Sequence, residues 1–120
     1  MSNHLIIIDE DRLLANGIAR ALRSDFDRIS VLQNPLGAGE LIQDSGECVI
    51  ISEIRFSTVD GTAMLCELKK SFPQSRIIAL SAYYSEQTIR ALQKAGVTHV
   101  LEKPVKTEHL KNEIETFISH

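Results

Sequence analysis

The stretch Leu5-Ile6-Ile7-Ile8-Asp9-Glu10-Asp11 sets four consecutive aliphatic residues directly ahead of three carboxylates. An aliphatic, mostly β-branched run without polar alternation is the pattern of a strand covered on both faces in a parallel sheet. The residues that follow predict a helix. Asp11 stands at the N-cap, and Leu14, Ile18, Ala21 and Leu22 recur on one helical face. A strand passing straight into a helix is one β-α unit, and the rest of the chain repeats it.

Val49-Ile50-Ile51 and Ile77-Ile78-Ala79-Leu80 are two more unalternating runs. Arg28-Ile29-Ser30-Val31-Leu32 alternates instead and reads as a strand nearer an edge, and residues 97–101 form a weaker fifth candidate. A short, Gly-rich helix is expected over residues 36–44. The helix over 62–71 turns Leu65 and Leu68 inward and carries Lys69 and Lys70 at its C-terminal end, where cations suit the dipole. The helix over 85–95 has Ser85 as N-cap, Ile89 and Leu92 inward, and Gly96 as its stop. Thr107 is expected to cap a last helix, with Leu110, Ile114 and Phe117 inward. Five β-α pairs in strict alternation predict an α/β, flavodoxin-like doubly wound fold: five parallel strands in the order 2-1-3-4-5. No G-x-G-x-x-G follows the first strand, which disfavours nucleotide binding.

At 120 residues, the expectation is a single domain spanning 1–120. Thirteen basic against sixteen acidic residues give a net charge of −3, which argues against this domain gripping nucleic acid directly. No apolar run approaches the ~18 residues that span a bilayer, and Met1-Ser2-Asn3-His4 lacks a secretory pattern. Cys48 and Cys66 are too few for a disulfide scaffold and lack metal spacing, so they read as small buried hydrophobes in a cytoplasmic protein. His4, His99, His109 and His120 are scattered without a zinc pattern, and Lys69, Lys70 and Arg76 read as a solvated cluster.

In such a sheet, function gathers where strands end and helices begin. Those positions hold Asp9 and Glu10 after the first strand, Glu53 after the third, Ser81 after the fourth, and Lys103 beside Pro104 after the fifth. Clustered carboxylates do not all stay ionised without a cation. Asp9, Glu10 and Glu53 are therefore candidate ligands for a weakly held Mg²⁺, although acidic residues ahead of a helix also serve as caps. Ser81 could donate to a phosphoryl oxygen, and Lys103 could neutralise its charge.

These residues resemble a known family. Ile8-Asp9-Glu10, Asp60-Gly61, Leu80-Ser81-Ala82, Ala95-Gly96 and Leu101-Glu102-Lys103-Pro104 occur in the order and spacing of response-regulator receiver domains, the CheY-like modules of two-component signalling. The resemblance implies a regulatory domain rather than an enzyme. It also implies a histidine kinase or other signalling protein as partner, an output domain C-terminal to this piece, and a homodimer through the fourth helix, fifth strand and fifth helix.

Three positions depart from the family pattern. The phosphoacceptor aspartate stands eight residues before the glycine of the Asp-Gly turn, and here that position is Glu53. The proline four residues after the acceptor is Ser57, and the switch aromatic three residues before the lysine is Val100. A glutamate carboxylate reaches roughly 1.5 Å further from the backbone than an aspartate. An error of about 1 Å can slow an in-line transfer on the order of 10²-fold. Glu53 is therefore expected to pair with Lys103 or to stand in for a permanently charged acceptor, so ordinary aspartyl phosphorylation is not expected. Ser52, its strand neighbour, should point to the opposite face.

Tyr83 and Tyr84 read as amphipathic side chains on a surface loop. Ile89, Leu92 and Val100 read as core, or as part of an apolar interaction face. Two rival readings keep the same rim: a receiver that autophosphorylates with Mg²⁺, and a small Mg²⁺-dependent phosphohydrolase.

Overall fold

The structure is a computed structural model that describes residues 4–118, with side chains described as far as residue 116. Five parallel strands form one sheet in the order β2-β1-β3-β4-β5, with β1 His4–Ile8, β2 Arg28–Leu32, β3 Cys48–Ser52, β4 Arg76–Ser81 and β5 His99–Glu102. The helices are α1 Arg12–Leu22, α2 Ala38–Ser45, α3 Gly61–Ser71, α4 Glu86–Ala95 and α5 Thr107–Ile118. The doubly wound order expected from the sequence is the one observed.

The unalternating runs follow from two-sided burial. Leu5, Ile7, Ile51 and Leu80 face α1 and α5, packing with Ile18, Leu22, Leu110 and Ile114. Ile6, Ile8, Ile50 and Ile77 face the other way, onto Ile42, Leu65, Leu68 and Leu92 of α2, α3 and α4. Strand side chains alternate faces, so a strand covered twice needs an apolar residue at every position. The edge strands are more open: β2 has no fully buried residue, with Arg28 and Val31 exposed, and β5 buries only Leu101.

The expected caps form. Asp11 Oδ1 accepts from the Leu14 amide at 3.1 Å, and Ser85 Oγ accepts from the Thr88 amide at 3.1 Å. Gly96 ends α4 at φ 95°, a left-handed conformation suited to glycine. Asp60 caps α3 through the Ala63 amide at 3.1 Å, so that helix begins one residue earlier than expected. Gly61 is held there by space: a Cβ would lie 2.7 Å from the Phe56 ring and closer still to the Ile54 carbonyl.

Other details differ from expectation. Asn34 accepts from the Leu36 amide and Pro35 opens a 3₁₀ turn, Pro35–Gly37, so the expected helix over 36–44 is split. Thr107 is the first residue of α5 rather than its cap, because the Lys106 carbonyl already accepts from the Leu110 amide. Lys69 is not a solvated charge, since its ammonium donates to the carbonyls of Pro73 and Ser75 at 2.8 and 2.6 Å. Cys48 is buried as expected, whereas Cys66 is half-exposed, its thiol turned to the Ala91 carbonyl. Leu92 is fully buried, while Ile89 and Val100 are half-buried. The Phe117 side chain lies outside the described residues. Among the described residues no helix is long and apolar enough to cross a membrane.

Candidate functional site

The hydrogen-bond ladders run one residue past the strands and carry the polar residues into register. The Asp9 amide donates to the Leu32 carbonyl at 2.9 Å, that of Glu53 to Ile8 at 2.9 Å, and that of Lys103 to Ser81 at 2.8 Å. Backbone pairing thus fixes the positions of three charged residues at the C-terminal edge of the sheet. The Lys103–Pro104 peptide is cis.

Lys103 joins the carboxylates. Its ammonium donates to Glu53 Oε1 at 2.6 Å and to Asp9 Oδ2 at 2.9 Å. Glu53 Oε2 accepts from the amides of Ile54 at 2.7 Å and Arg55 at 3.0 Å, and Asp9 Oδ1 accepts from the Asp11 amide at 2.9 Å. Asp9 therefore closes an Asx turn ahead of α1 and serves as a rim carboxylate at once. Asp9 and Glu53 are 5% and 8% exposed, so the paired charges are largely shielded from water.

Burial alone would raise the Glu53 carboxyl. Lys103, the Ser81 hydroxyl and the two loop amides outweigh it and hold the group below its ordinary value. Burial likewise works against the charged Lys103, but Glu53 and Asp9 prevail and push its ammonium upward. Ser81 Oγ is fully buried. It favours the ionised Glu53 by proximity yet makes no well-formed hydrogen bond, alone in this among buried side-chain oxygens and nitrogens of the described residues.

Glu10 turns to a different partner. Its carboxylate accepts from the Ser57 hydroxyl at 2.5 Å and the Ser57 amide at 3.1 Å, bonds that hold it below its ordinary value. The three expected ligands thus share one rim, but Glu10 is bound across the loop rather than turned toward Asp9 and Glu53. Their donor chemistry suits a hard divalent ion. Among the described residues no group of three or more His, Cys, Asp or Glu side chains is placed to hold a metal, which leaves one or two of these carboxylates as the donors for a weakly held ion.

Several partnerships escaped the sequence reading. Ser57 stands out in the sequence only as a missing proline, and no local signal ties it to Glu10, 47 residues away. Tyr84 is not a surface side chain. It is half-buried beside Val100, its hydroxyl donates to the Leu101 carbonyl at 2.8 Å, and burial pushes its ionisation upward. Tyr83 is exposed as expected, with the Arg55 guanidinium 5.7 Å above its ring. Ser52 is buried and donates to the Glu53 carbonyl at 2.8 Å. The histidines are not uniformly partnerless: His4 is buried between Ser30 and Ser45, and His99 pairs with Glu113 at 2.7 Å.

An edge-of-sheet rim with two carboxylates bridged by a lysine, a buried hydroxyl and the 2-1-3-4-5 order defines a class of regulatory domain. Residues 5–115 match the response regulator receiver domain, and the chain belongs to that family. It is thus the receiver domain of a two-component response regulator. It is 24% identical over 100 residues to a response regulator receiver protein of an Anaeromyxobacter species, covering 83% of this chain and 42% of that protein. It is 22% identical over 108 residues to the photosynthetic apparatus regulatory protein RegA of Rhodobacter capsulatus, covering 90% of this chain and 59% of RegA. The chain thus spans about half the length of these relatives.

Among solved structures, a CheY-like receiver domain protein from Methanospirillum hungatei superposes with a TM-score of 0.89 at 18% identity, over 99% of this chain and 96% of that one. A Burkholderia pseudomallei response regulator with a phosphorylated aspartic acid and a calcium ion gives 0.79 at 21%, over 96% and 72%. The beryllofluoride-activated NtrC4 receiver domain dimer gives 0.84 at 19%, over 97% and 96%.

Proposed function

We propose that this receiver is a protein–protein interaction module whose state is set by Glu53 and by its partners rather than by ordinary aspartyl phosphorylation. The observation that carries this reading is the Lys103 ammonium lying 2.6 Å from Glu53 and 2.9 Å from Asp9. Glu53 is already charged and already engaged with the lysine that a phosphoryl group would need. A Mg²⁺ ion would have to draw Asp9 from Lys103 and Glu10 from Ser57, so its binding is weak. The partners are a histidine kinase or another signalling protein, together with an output domain in a longer polypeptide, and the setting is cytoplasmic. A homodimer would use α4, β5 and α5, where Ile89 and Val100 keep part of their apolar surface open.

A second reading, a receiver that still accepts a phosphoryl group, is favoured by Ser81. Its buried hydroxyl makes no well-formed hydrogen bond, as expected of a donor kept for a phosphoryl oxygen. Incubation with Mg²⁺ and acetyl phosphate, followed by intact-mass measurement, separates the two. The wild-type chain is expected to stay unlabelled while Glu53→Asp gains one phosphoryl group. Label on the wild type that disappears in Glu53→Gln would overturn the proposal.

A further inference from the structure

A groove between α2 and α3 has no role in the rim chemistry. Two neighbouring cavities of about 370 and 510 Å³ share Ser71 and Phe72 as lining residues, one reaching the Pro35 turn and the other Glu47. Its upper half is apolar, lined by Pro35, Leu36, Met64, Leu68 and Phe72. Leu36, 68% exposed, adds open aliphatic surface to that lining, so the apolar patch is contiguous rather than a single side chain. Methionine adapts its shape to a bound surface, and Met64 stands half-exposed in the same wall.

Charge and backbone geometry limit the occupant. The titratable lining residues are Glu47 and Glu67, and no lysine, arginine or histidine lines the groove. Glu40 and Asp44 are exposed on α2, adding negative charge along its flank. Lys69 is tied to the Pro73 and Ser75 carbonyls, and Lys70, though exposed on α3, is not part of the lining. Two helices form the walls, so no strand edge is offered and an extended peptide could not pair by its backbone. The complementary shape is a helix that lays an apolar stripe into the groove and flanks it with basic residues.

We propose that the α2–α3 groove is a docking surface for a basic amphipathic helix of a partner protein. None of its lining residues belongs to the Glu53–Lys103–Asp9 rim, so the proposal stands apart from the reading of Glu53.

The test titrates the ¹⁵N-labelled full chain with a synthetic helical peptide carrying leucines at i, i+3, i+4 and i+7 flanked by lysines. A glutamate-flanked version serves as control. Amide shifts are expected at Gly39, Met64 and Ser71, with affinity about tenfold weaker at high salt and in the double variant Glu47→Lys/Glu67→Lys. Leu36→Glu, at an exposed position that leaves folding intact, is expected to abolish the shifts. Equal binding of both peptides would overturn the proposal. So would shifts centred on α4, β5 and α5, or indifference to the Glu47/Glu67 reversal. Concentration-dependent shifts at the groove without peptide, with matching dimer sedimentation, would instead assign it to a second copy of this chain and equally overturn the proposal.

Discussion

One methylene separates Glu53 from the aspartate its position calls for, and its consequence lies in what the longer arm reaches. Glu53 spans to the Lys103 ammonium while its second oxygen holds the Ile54 and Arg55 amides. Because the folded state holds the Glu53 carboxyl below its ordinary 4.5, the stabilisation is present above that value and is lost as pH falls through the folded one. The Lys103 ammonium is pushed above its ordinary 10.5, so its contribution is intact below that value and fades as pH rises through the folded one. The bridge is therefore expected to be complete between about pH 4.5 and 10.5. Lys103→Met should lower Tm most within that window, as followed by circular dichroism. A third group adds to the loss of stability on the acid side: burial, with Arg28 nearby, holds the His4 imidazole below 6.5. The neutral ring is favoured in the fold, so stability should fall on acidification below pH 6.5, and His4→Gln should flatten that slope. The pairing of Glu53 with Lys103 was legible from the sequence because both are strand-end positions. The links Glu10–Ser57 and Tyr84–Leu101 were not, since they depend on how two loops fold back over the sheet.

At the scale of elements, sequence and structure agree where periodicity and capping point the same way. β1, β3 and β4 were readable from unbroken aliphatic runs, and α1 and α4 from Asp11, Ser85 and Gly96. Agreement loosens where local hydrogen bonds compete with the helix. Asn34 and Pro35 convert the start of the second helical segment into a 3₁₀ turn, an outcome that apolar spacing does not encode. The start of α3 shows the reverse, a tertiary constraint written as a dipeptide. Asp60 caps the helix, and Gly61 lets it approach the Ile54 carbonyl and Phe56 ring. Gly61→Ala is expected to destabilise the domain by about 1–3 kcal/mol, lowering Tm by roughly 4–15 °C and disturbing the loop that holds Glu53 and Ser57. Ser85→Ala removes only a cap and should lower stability by about 1 kcal/mol in urea unfolding, without shifting rim resonances.

For the whole molecule, two buried layers around one sheet hold the rim on backbone ladders rather than on flexible loops. The thiols report on that integrity. Burial pushes both thiols up, Cys48 to about 11, but only Cys66, beside α4, is half-exposed. A thiol reagent at neutral pH should therefore modify Cys66 in the native chain and reach Cys48 only on unfolding, which titration with and without denaturant would read. The family assignment fixes a receiver's architecture; the proposed role of Glu53 concerns how this receiver uses it. As proposed, the Glu53–Lys103–Asp9 bridge leaves no place for a phosphoryl group. The most direct measurement is the ¹⁵N spectrum of the chain with Mg²⁺ and beryllofluoride, a phosphoryl mimic. The wild-type spectrum is expected to remain unchanged at Ser81 and Lys103, with shifts appearing only in Glu53→Asp. Saturable shifts at Ser81 and Lys103 in the wild-type chain would contradict the claim.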